Sequence, residues 1–598
     1  MPTYQAPVQD ALFLLNDVFQ VERYNNLAGF AEASPDVIEA VLGEAAKFCE
    51  EVLVPLNRVG DVEGCTRHGD SSVTTPRGFK AAYRQLTEGG WIGISAPVEF
   101  GGQGLPAVLT EIVNEFLCSA NMAFAMYPLL TQGAISALYA HGSPEQKATY
   151  LPPMISGKWT GTMNLTEAHC GTDLGQLRTK AVPQADGSYR ITGTKIFISA
   201  GEHDLAENIV HLVLARIEGA PAGVKGISLF VVPKFVPNPD GTLGKRNAVS
   251  CGSIEDKMGI HGNSTCVMNY DAATGWLVGE AHRGLNAMFT MMNGARLGVA
   301  AQGLAQSEVA YQNAAAYAKE RLQGRALSGP KFPDKPADPI IVHPDIRRAL
   351  LTIRSFNEPA RALVIWTALQ TDILHRAEDE GARRAADDQL GLLTPVLKGV
   401  LTDTGFANTV IAQQVFGGHG YIRESGMEQF VRDARIAMIY EGANGIQALD
   451  LVGRKLGRNG GRAIMAFFSE VKSLVDEHAD DDSLQPYIAP LGRSLADLQQ
   501  ATMWFMQNAL SNPEQAGAGA TDYMHLFGLV ALGYMWAKIV IAAQQKLAAD
   551  ANGAARRFEA KLGAARFFME RMLSETAVQL ARIQSGAGAI MAMPAEVF

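Results

Sequence analysis

A change of periodicity near Gly157 constrains this chain more than any other feature of its sequence. Residues 1–155 show the apolar spacing and the cap residues of helices. Residues 159–280 instead contain short apolar runs bounded by turn residues, which is the pattern of β-strands. Helical spacing returns for residues 285–456. The chain is therefore predicted to be an α+β multidomain protein in which a sheet lies between helical segments.

Four domains are predicted, because a chain of 598 residues is too long for one hydrophobic core. Helix starts are predicted after Ser34 and after Ser143, where Gln146 completes the pattern of a capping box. The predicted domains are an N-terminal helical domain at 1–155, a middle β domain at 156–280, a C-terminal helical bundle at 281–458 and an additional helical domain at 459–598.

The middle domain is predicted strand by strand. Asp186-Gly187 is a two-residue hairpin signal between two of the strands. The predicted strands are residues 159–164, 177–182, 189–192, 195–199, 209–217, 226–236 and 266–270.

Composition and charge exclude several classes of protein. The formal net charge of −10 and the lack of a Lys/Arg run speak against nucleic-acid binding. The six cysteines form no CxxC pair and no metal-ligand spacing, so no disulfide scaffold and no metal site are expected, and a cytoplasmic location is favoured.

The N-terminus lacks the pattern of a signal peptide. The longest apolar stretch, 524–543, is broken by His525 and Lys538, which predicts a buried helix rather than a transmembrane segment.

Residues 413–456 contain the strongest candidate site. A glycine cluster at 417–420 is followed, after a helical segment, by a single carboxylate, Glu441, between Tyr440 and Gly442. We interpret Glu441 as a candidate catalytic base and the glycine cluster as a candidate contact to a nucleotide. Either half of this stretch, taken alone, is also compatible with ordinary structure.

Two loops of the β domain are further candidates. The loop at 165–175 is rich in hydroxyls and glycines, which suits a polar, flat or anionic ligand but also fits a capped turn. His169 and Cys170 are neighbours in this loop, without further ligands at metal spacing. In the segment 195–201, Phe197 can stack on a ring, and the alternative is a position in the core.

Two arginines flank a long predicted helix. Residues 293–296 are predicted to open this helix, which continues over 297–320. Arg296 then stands at the end where a cation gains nothing from the helix dipole, and a buried Arg296 would need a carboxylate partner. Arg321 follows the other end, where the dipole and solvent also explain a cation.

Five short motifs together resemble those of the acyl-CoA dehydrogenase family. They are NLTE at 164–167 with GTD at 171–173, KIFIS at 195–199, ERLQG at 320–324, QVFGGHGY at 414–421 and YEG at 440–442. Each motif is weak alone, but all occur in the order of the family on a helix–sheet–helix plan. The resemblance covers about residues 35–456. It implies the fold of that family, an oxidoreductase that acts on an acyl-CoA thioester, and FAD as its cofactor.

The resemblance assigns the chemistry to Glu441. In this family a carboxylate removes the α-proton of the thioester, while the β-hydrogen leaves as a hydride to flavin N5, and a 2,3-enoyl-CoA results. Ala295 occupies the second location that the family uses for its base and cannot serve. The backbone N–H of Glu441 is expected to polarise the thioester carbonyl. Arg296 is expected to fix the position of Glu441. Tyr440 and Gly442 are expected to contact the substrate.

The resemblance also assigns contacts to FAD and to the CoA arm of the substrate. The residues expected at the flavin are Leu165, Thr166, Phe197 and Ser199; Thr172 is expected at the FAD or the CoA arm, and Asn293 at the CoA arm. Phe197 stands where many members have Trp, so it is expected to shield the flavin and to contact an electron-transfer flavoprotein.

A second group of residues is expected to reach the FAD of a neighbouring subunit, which implies a homo-oligomer, either a dimer or a tetramer. This group is Arg321, Gln323, Gln414, Gly417 and Gly418. Asn444 is expected to cap a helix that begins at Gly445 and to direct its N-terminus at the pyrophosphate of FAD. Ala443 replaces a usual Thr at the flavin nucleotide.

Whole-chain features narrow the resemblance to one branch. The start of the chain, the loop at 333–345 and the helical C-terminal extension are similar to the branch that converts 3-(methylthio)propanoyl-CoA to 3-(methylthio)acryloyl-CoA in the breakdown of dimethylsulfoniopropionate. The alternatives are a general acyl-CoA dehydrogenase of β-oxidation, an acyl-CoA oxidase, and a DNA-associated flavoprotein of the same fold, which the acidic charge opposes. The extension is predicted to be a bundle helix region, with a membrane-docking module as the alternative.

Overall fold

The structure is a computed structural model, and it describes residues 2–509, 512–549 and 555–598. The chain forms two compact units. One unit is Ala40–Gly298, in which helices precede a sheet, and the other joins Met1–Glu39 to Val299–Phe598 and is helical. The predicted α+β architecture is confirmed, while the four domain boundaries stay a prediction.

The regular elements are numbered in chain order. The helices are α1 (Val8–Phe13), α2 (Pro35–Phe48), α3 (Val54–Glu63), α4 (Phe79–Glu88), α5 (Ala107–His141), α6 (Pro144–Ile155), α7 (Gly284–Glu320), α8 (Pro344–Arg376), α9 (Glu380–Val415), α10 (Met427–Arg435), α11 (Asn444–Asp450), α12 (Arg462–Glu477), α13 (Gln485–Asn508), α14 (Pro513–Ala549), α15 (Ala555–Phe567), α16 (Glu575–Ser585) and α17 (Gly588–Met591). The strands are β1 (Thr66–Arg67), β2 (Val73–Thr74), β3 (Trp159–Asn164), β4 (Lys180–Pro183), β5 (Tyr189–Ser199), β6 (Asn208–Ile217), β7 (Ile227–Pro233), β8 (Phe235–Pro237), β9 (Leu243–Arg246), β10 (Val249–Ile254) and β11 (Thr265–Val278).

A mixed seven-stranded sheet belongs to the Ala40–Gly298 unit. Its strands run in the order β10-β11-β5-β4-β6-β3, and β7 pairs with both β11 and β6. β6 is parallel to β3 and to β4, and the other pairs are antiparallel. Its buried core includes Val213, Phe230 and Met268. This sheet places the ends of β3 and β5, which carry two of the candidate motifs, in one framework.

The strands and the hairpin predicted for the sheet are confirmed in part. The hairpin at Asp186-Gly187 is confirmed, since β4 and β5 pair antiparallel on either side of it. Gly187 has a φ of 81°, a left-handed conformation that glycine adopts without a steric penalty. The strands predicted at 189–192 and 195–199 are one strand, β5. Strands β9 and β10 were not predicted, because they are short and rich in Gly, Ser and charged residues.

The helix caps predicted in the N-terminal part are confirmed. α6 begins with a complete capping box, in which Ser143 Oγ accepts from the Gln146 N–H at 3.2 Å and Gln146 Oε1 accepts from the Ser143 N–H at 3.0 Å. At α2, the N–H of Ile38 donates to the carbonyl of Ser34 at 2.9 Å. These helices therefore start where their sequence signals lie.

The start of α7 corrects the prediction for the helix around Arg296. The helix begins at Gly284 rather than at 293–297. Residues 284–292 form a helix without a cap signal because apolar side chains such as Met288 and Met291 are buried along it. Arg296 therefore lies inside the helix, and the argument that placed it at the positive end of the helix dipole was wrong.

Helix α14 is the buried centre of the C-terminal helices. Trp536 Nε1 donates to the carbonyl of Ser355 in α8 at 2.8 Å. A glycine of α14 lies close to α9, since a Cβ on Gly528 would lie 2.6 Å from Cγ2 of Val400. By length and composition α14 is able to cross a membrane, and 83% of its most apolar window is buried inside the structure. The prediction of a buried helix is confirmed.

A buried cluster of charged groups joins the N-terminal segment to the C-terminal helices. Asp10 in α1 accepts hydrogen bonds from Arg361 Nη1 at 2.6 Å and from Lys561. Lys561 also donates to Glu358 at 2.8 Å. Burial on its own would raise the pKa of Asp10, but Lys561 and Arg361 outweigh burial and hold the pKa well below its ordinary value.

Candidate active site

The turn that carries Glu441 has an unusual backbone. We call residues 440–443 the Glu441 turn; it precedes α11. Glu441 has a φ of 55°, a left-handed conformation that costs a residue with a Cβ roughly 1–2 kcal/mol. Gly442 follows with a φ of 89°, where glycine has no such penalty. Backbone strain of this kind persists only where surrounding contacts hold it in place.

Two buried side chains hold the carbonyl groups of the Glu441 turn. Gln447 Nε2 donates to the carbonyl oxygens of Glu441 at 3.1 Å and of Gly442 at 3.2 Å. Lys398 Nζ, from the middle of α9, donates to the carbonyl of Gly442 at 2.7 Å. Neither Lys398 nor Gln447 has more than 1% of its surface exposed. These contacts fix the two peptide groups on either side of Gly442, the first of which follows the strained residue Glu441.

The side chains of the Glu441 turn are themselves half-buried. Glu441 and Tyr440 both have intermediate exposure. The Tyr440 hydroxyl donates to the side-chain oxygen of Gln302, a residue of α7 that is 1% exposed. The predicted base therefore lies on an ordered turn in a partly desolvated position, which suits a carboxylate that acts on a weakly acidic proton.

Asn444 corrects the prediction for the start of the next helix. α11 begins at Asn444, its N-cap residue is Ala443, and no side chain caps it. Asn444 Nδ2 instead donates to the Gly399 carbonyl at 3.2 Å, Thr402 Oγ1 at 2.9 Å and Asp403 Oδ1 at 2.6 Å. The capping prediction is wrong because these acceptors of α9 draw the side chain inward. A contact of Ala443 or Asn444 with FAD stays a prediction.

A buried ion pair organises the loop after β3. Lys195 Nζ in β5 donates to Glu167 Oε1 and to the carbonyl of Leu165, both at 2.9 Å. Thr179 donates to the same carboxylate oxygen through its hydroxyl at 2.6 Å and its N–H at 3.0 Å. Burial would raise the pKa of Glu167, but Lys195 and Thr179 outweigh it and lower the pKa to about 2. The carboxylate thus ties both ends of the loop to β5.

We expect Glu167→Gln to destabilise the protein by about 3 kcal/mol at neutral pH, because it leaves the Lys195 ammonium buried without its carboxylate. A folded-state pKa below the unfolded value stabilises the fold above pH 4.5, and this contribution is lost as the pH falls towards 2. Thermal unfolding of wild type and variant at pH 7 and at pH 3 measures the difference. The exposed Glu218→Gln is the control, and an equal difference at both pH values would contradict the prediction.

The residues predicted to contact the flavin lie at the ends of β3 and β5. The Thr166 carbonyl accepts from the N–H of Ile196 in β5 at 2.9 Å, so the two strand ends are held together. Leu165 is buried, Thr166 and Ser199 are half-buried, and Thr172 is exposed on the loop between them. The structure therefore brings these sequence motifs to one side of the sheet framework.

Phe197 has two unusual properties for a residue in a central strand. Its side chain is 61% exposed, and its φ of 58° is left-handed. The alternative prediction of a core position is therefore wrong. Strained non-glycine residues cluster at ligand sites, where the surroundings hold them in a functional geometry. An exposed aromatic ring on a strained backbone fits a surface that receives a flat ligand or a partner protein.

The residues predicted to reach a neighbouring FAD lie at or just after the C-terminal ends of α7 and α9, and these ends are in contact. Tyr317 in α7 stacks on Phe416 with ring centroids 4.1 Å apart, and its hydroxyl bonds His419 Nδ1 at 2.8 Å. The N–H of Arg321 donates to the Tyr317 carbonyl at 2.8 Å. The residues of this predicted group, all exposed, are Arg321, Gln323, Gln414, Gly417 and Gly418.

Arg296 and Asn293 are neighbours on one face of α7. Arg296 Nη1 donates to Asn293 Oδ1 at 3.5 Å, and its guanidinium lies 5.9 Å from the ring centre of Phe289. Arg296 is half-buried and Asn293 is exposed. The roles predicted for them at Glu441 and at the CoA arm stay predictions.

Glu167, His169 and Cys170 lie close enough to share a metal ion, since their ligand atoms are within 4.8 Å of one another. The carboxylate of Glu167 already accepts from Lys195 and Thr179, which makes it a poor additional ligand. The expectation that the protein holds no metal stays a prediction.

Sequence reasoning missed the residues that hold the Glu441 turn. Lys398 lies 44 positions before Gly442 on a different helix, and Gln447 lies on α11. The signal available for Lys398 is a lysine inside the apolar run 392–401, where a charged residue is unusual. Only the folded chain shows that this lysine points at the turn.

Four family models match the chain in order. They are "Acyl-CoA dehydrogenase, N-terminal domain" at 36–158, "Acyl-CoA dehydrogenase, middle domain" at 162–273, "Acyl-CoA dehydrogenase, C-terminal domain" at 282–456 and "Acetyl-CoA dehydrogenase C-terminal like" at 467–594. The last of these covers the C-terminal extension.

Several relatives match nearly the full chain. A 3-methylmercaptopropionyl-CoA dehydrogenase of Ruegeria pomeroyi is 43% identical over 97% of this chain and 98% of its own length. A broad-specificity linear acyl-CoA dehydrogenase of Mycobacterium tuberculosis is 34% identical over 96% of both chains. Both relatives therefore share the C-terminal extension.

Several solved structures share the fold along most of the chain. The Caenorhabditis elegans protein ACDH-11, in complex with C11-CoA, has a TM-score of 0.77 at 19% identity and covers 96% of this chain and 92% of its own. An acyl-CoA dehydrogenase of Bacillus anthracis, complexed with FAD, has a TM-score of 0.73 at 20% identity and covers 92% of this chain and 88% of its own.

Proposed function

We propose a substrate and a mechanism for this chain, which belongs to the acyl-CoA dehydrogenase family. It is therefore an oxidoreductase that dehydrogenates acyl-CoA, and FAD is the cofactor of this family. The proposed reaction converts 3-(methylthio)propanoyl-CoA to 3-(methylthio)acryloyl-CoA in the breakdown of dimethylsulfoniopropionate. The identity of 43% along nearly the whole chain to a relative named for that substrate carries the proposal.

Glu441 is the general base in the proposed mechanism. Its carboxylate takes the α-proton of the thioester, and its backbone N–H donates to the thioester carbonyl, which makes that proton more acidic. Both groups belong to one residue of the strained Glu441 turn, so the same contacts position the base and the donor. An acyl chain laid over the half-buried carboxylate excludes water and strengthens it as a base. Ala295 offers no competing carboxylate.

The residues at the ends of β3 and β5 fit a flat, polar ring system. Phe197 offers an exposed aromatic face on a strained backbone, and the loop from Thr166 to Thr172 offers hydroxyls and peptide groups beside it. Bound FAD supplies the acceptor for the β-hydride. Leu165, Thr166, Phe197 and Ser199 are proposed to hold it, with Thr172 at the FAD or the CoA arm and Ala443 and Asn444 at its nucleotide. Arg296 is proposed to position Glu441, while Asn293, Tyr440 and Gly442 contact the substrate.

The proposed assembly is a homo-oligomer in the cytoplasm that passes electrons to an electron-transfer flavoprotein. Five exposed residues at the C-terminal ends of α7 and α9 are proposed to reach the FAD of a second copy. They are Arg321, Gln323, Gln414, Gly417 and Gly418. The exposed Phe197 is proposed to contact the electron acceptor. All six cysteines are free thiols, which suits a reducing compartment.

A series of kcat/KM values over acyl-CoAs of graded length, beside 3-(methylthio)propanoyl-CoA, tests the proposed substrate. We expect the methylthio substrate to exceed the straight chain of equal length by about 5–10-fold, which is the low end of the about 1–3 kcal/mol that one group contributes in an apolar pocket, because the sulfur and a methylene have nearly the same volume. Similar values over straight chains of several lengths would instead favour a general acyl-CoA dehydrogenase, and the Mycobacterium tuberculosis relative is named for such broad specificity. Hydrogen peroxide released at the turnover rate without an added acceptor would indicate an oxidase.

A further inference from the structure

A chain of polar contacts leads from the Glu441 turn into the C-terminal extension. The carbonyl of Gly442 accepts from Lys398 Nζ, which also donates to Asn444 Oδ1, both at 2.7 Å. Asn444 Nδ2 donates to Asp403 Oδ1 at 2.6 Å. The other oxygen of Asp403 lies 3.0 Å from Nε2 of His525, a residue of α14. Four side chains thus connect the turn with a helix that lies beyond the catalytic bundle in sequence.

Lys398 is an energetically demanding choice for this position. Its side chain is fully buried, and a buried ammonium is stable only when several acceptors surround it. Two of these acceptors are the Gly442 carbonyl and the Asn444 side chain. An apolar residue would fill the same space in α9 without this requirement. What the ammonium adds is a strong, directional hydrogen bond to the peptide group that follows Glu441.

The packing of α14 supports the same connection independently of the hydrogen bonds. A Cβ on Gly399 would lie 2.2 Å from the sulfur of Met524, so the Met524 side chain of α14 packs directly against this turn of α9. The carbonyl of Gly399 accepts from Asn444 Nδ2 at 3.2 Å. Met524 and His525 therefore contact the part of α9 that carries Lys398 and Asp403. The C-terminal extension lies directly behind the residues that hold the turn.

We propose that Lys398 is a positioning residue of the Glu441 turn, and that His525 of the C-terminal extension completes its support through Asp403 and Asn444. This inference rests on the proposed role of Glu441 as the base. It assigns the extension a part in the chemistry of the site, because the extension orients the groups that hold the peptide groups after the strained residue Glu441. Displacement of a reacting group by about 1 Å can slow a reaction by about 100-fold.

The experiment compares FAD-loaded variants by the rate of flavin bleaching after anaerobic mixing with saturating 3-(methylthio)propanoyl-CoA and with butanoyl-CoA. We expect Lys398→Met to slow bleaching by about 10–100-fold, with the dissociation constant for the acyl-CoA changed less than about threefold. We expect His525→Ala to slow it by about 3–10-fold, and His525→Gln, which can still donate to Asp403, to restore most of the rate.

Lys561→Met is the matched control, since Lys561 is also a buried lysine with acidic partners but lies in the charged cluster at Asp10. It is expected to lower the unfolding temperature and to leave the bleaching rate of the loaded enzyme unchanged. If Lys398→Met or His525→Ala slowed bleaching no more than Lys561→Met does, the proposed positioning role would be overturned. If Lys398→Met does not fold, the bleaching rates of His525→Ala and His525→Gln are compared with that of Lys561→Met in the same way.

Hydrogen–deuterium exchange gives a readout that does not depend on activity. We expect peptides covering residues 436–447 to exchange faster in Lys398→Met and in His525→Ala than in wild type, and unchanged in Lys561→Met. Unchanged exchange in the first two variants would also overturn the inference. Failure of the proposed function looks different, because in that case Glu441→Gln still bleaches its flavin or wild type bleaches with neither substrate. If Glu441→Gln loses bleaching as expected while the Lys398 and His525 variants behave like wild type, the positioning role alone is rejected.

Discussion

Glu441→Gln is expected to bind FAD and acyl-CoA like the wild type and to reduce its flavin at least about 1,000-fold more slowly, because the amide cannot accept the α-proton. Glutamine has nearly the same volume as glutamate, so it keeps the packing of the Glu441 turn. The donors to the turn act on backbone carbonyls, which the substitution leaves in place. The backbone N–H that is proposed to polarise the thioester is also retained. The loss should therefore appear in the chemical step and not in binding.

Anaerobic stopped-flow absorbance with 3-(methylthio)propanoyl-CoA measures the rate of flavin bleaching, and titration with the enoyl-CoA product measures binding. Glu424→Gln is the matched control, because Glu424 is exposed and lies before α10, on the other side of this helix from the Glu441 turn in sequence. Its bleaching rate is expected to equal that of wild type. Bleaching of Glu441→Gln within about tenfold of the wild-type rate would remove Glu441 from its proposed role as the base.

Lys561→Met is expected to destabilise the protein by about 3 kcal/mol, since it leaves the carboxylates of Asp10 and Glu358 buried without one of their cations. The figure lies at the low end for a broken buried pair because Arg361 still contacts Asp10 at 2.6 Å and Arg354 still contacts Glu358 at 2.7 Å. Lys561 has a side chain that is only 3% exposed, so water does not replace the lost contact.

Urea unfolding followed by tryptophan fluorescence measures this loss. The control is Lys546→Met, whose partner Asp17 also belongs to the N-terminal segment at 2.8 Å, but whose side chain is 45% exposed. An exposed pair of this kind contributes at most about 1 kcal/mol. The lowered pKa of Asp10 adds a pH signature: the contribution of the cluster is present at neutral pH and is lost as acidification protonates the carboxylate. Equal losses in the two variants would contradict the prediction.

The features of the fold that sequence predicted are those with local causes. A capping box at Ser143 and a hairpin at Asp186-Gly187 each depend on a few neighbouring residues, and both form as expected. The strand β10 was missed because it lies at the edge of the sheet, where pairing with β11 stabilises a segment of low strand propensity. The start of α7 was missed because burial, rather than a cap residue, sets it.

In the candidate site, too, the residues with a local sequence signal were predicted and those that depend on tertiary packing were not. Glu441 and its glycine neighbour are recognisable from a short motif, and the structure gives both a left-handed backbone. The support of that turn comes from Lys398 and, through Asp403, from His525, which lies 122 positions beyond Asp403. Contacts across such separations follow from tertiary packing and leave no local pattern. Asn444 was assigned to a helix cap for this reason, although its side chain belongs to the network within the helices.

The charged cluster at Asp10 also bears on how the protein is made. Asp10 and Lys561 are separated by 551 positions, so Asp10 leaves the ribosome long before its partner is synthesised. At about 5–20 residues per second, the N-terminal segment waits roughly half a minute to two minutes for Lys561. The contact between Asp10 and Lys561 therefore forms only after α15 has been synthesised. A nascent chain that stops before α15 carries Asp10 without Lys561, which marks unfinished copies as incompletely folded.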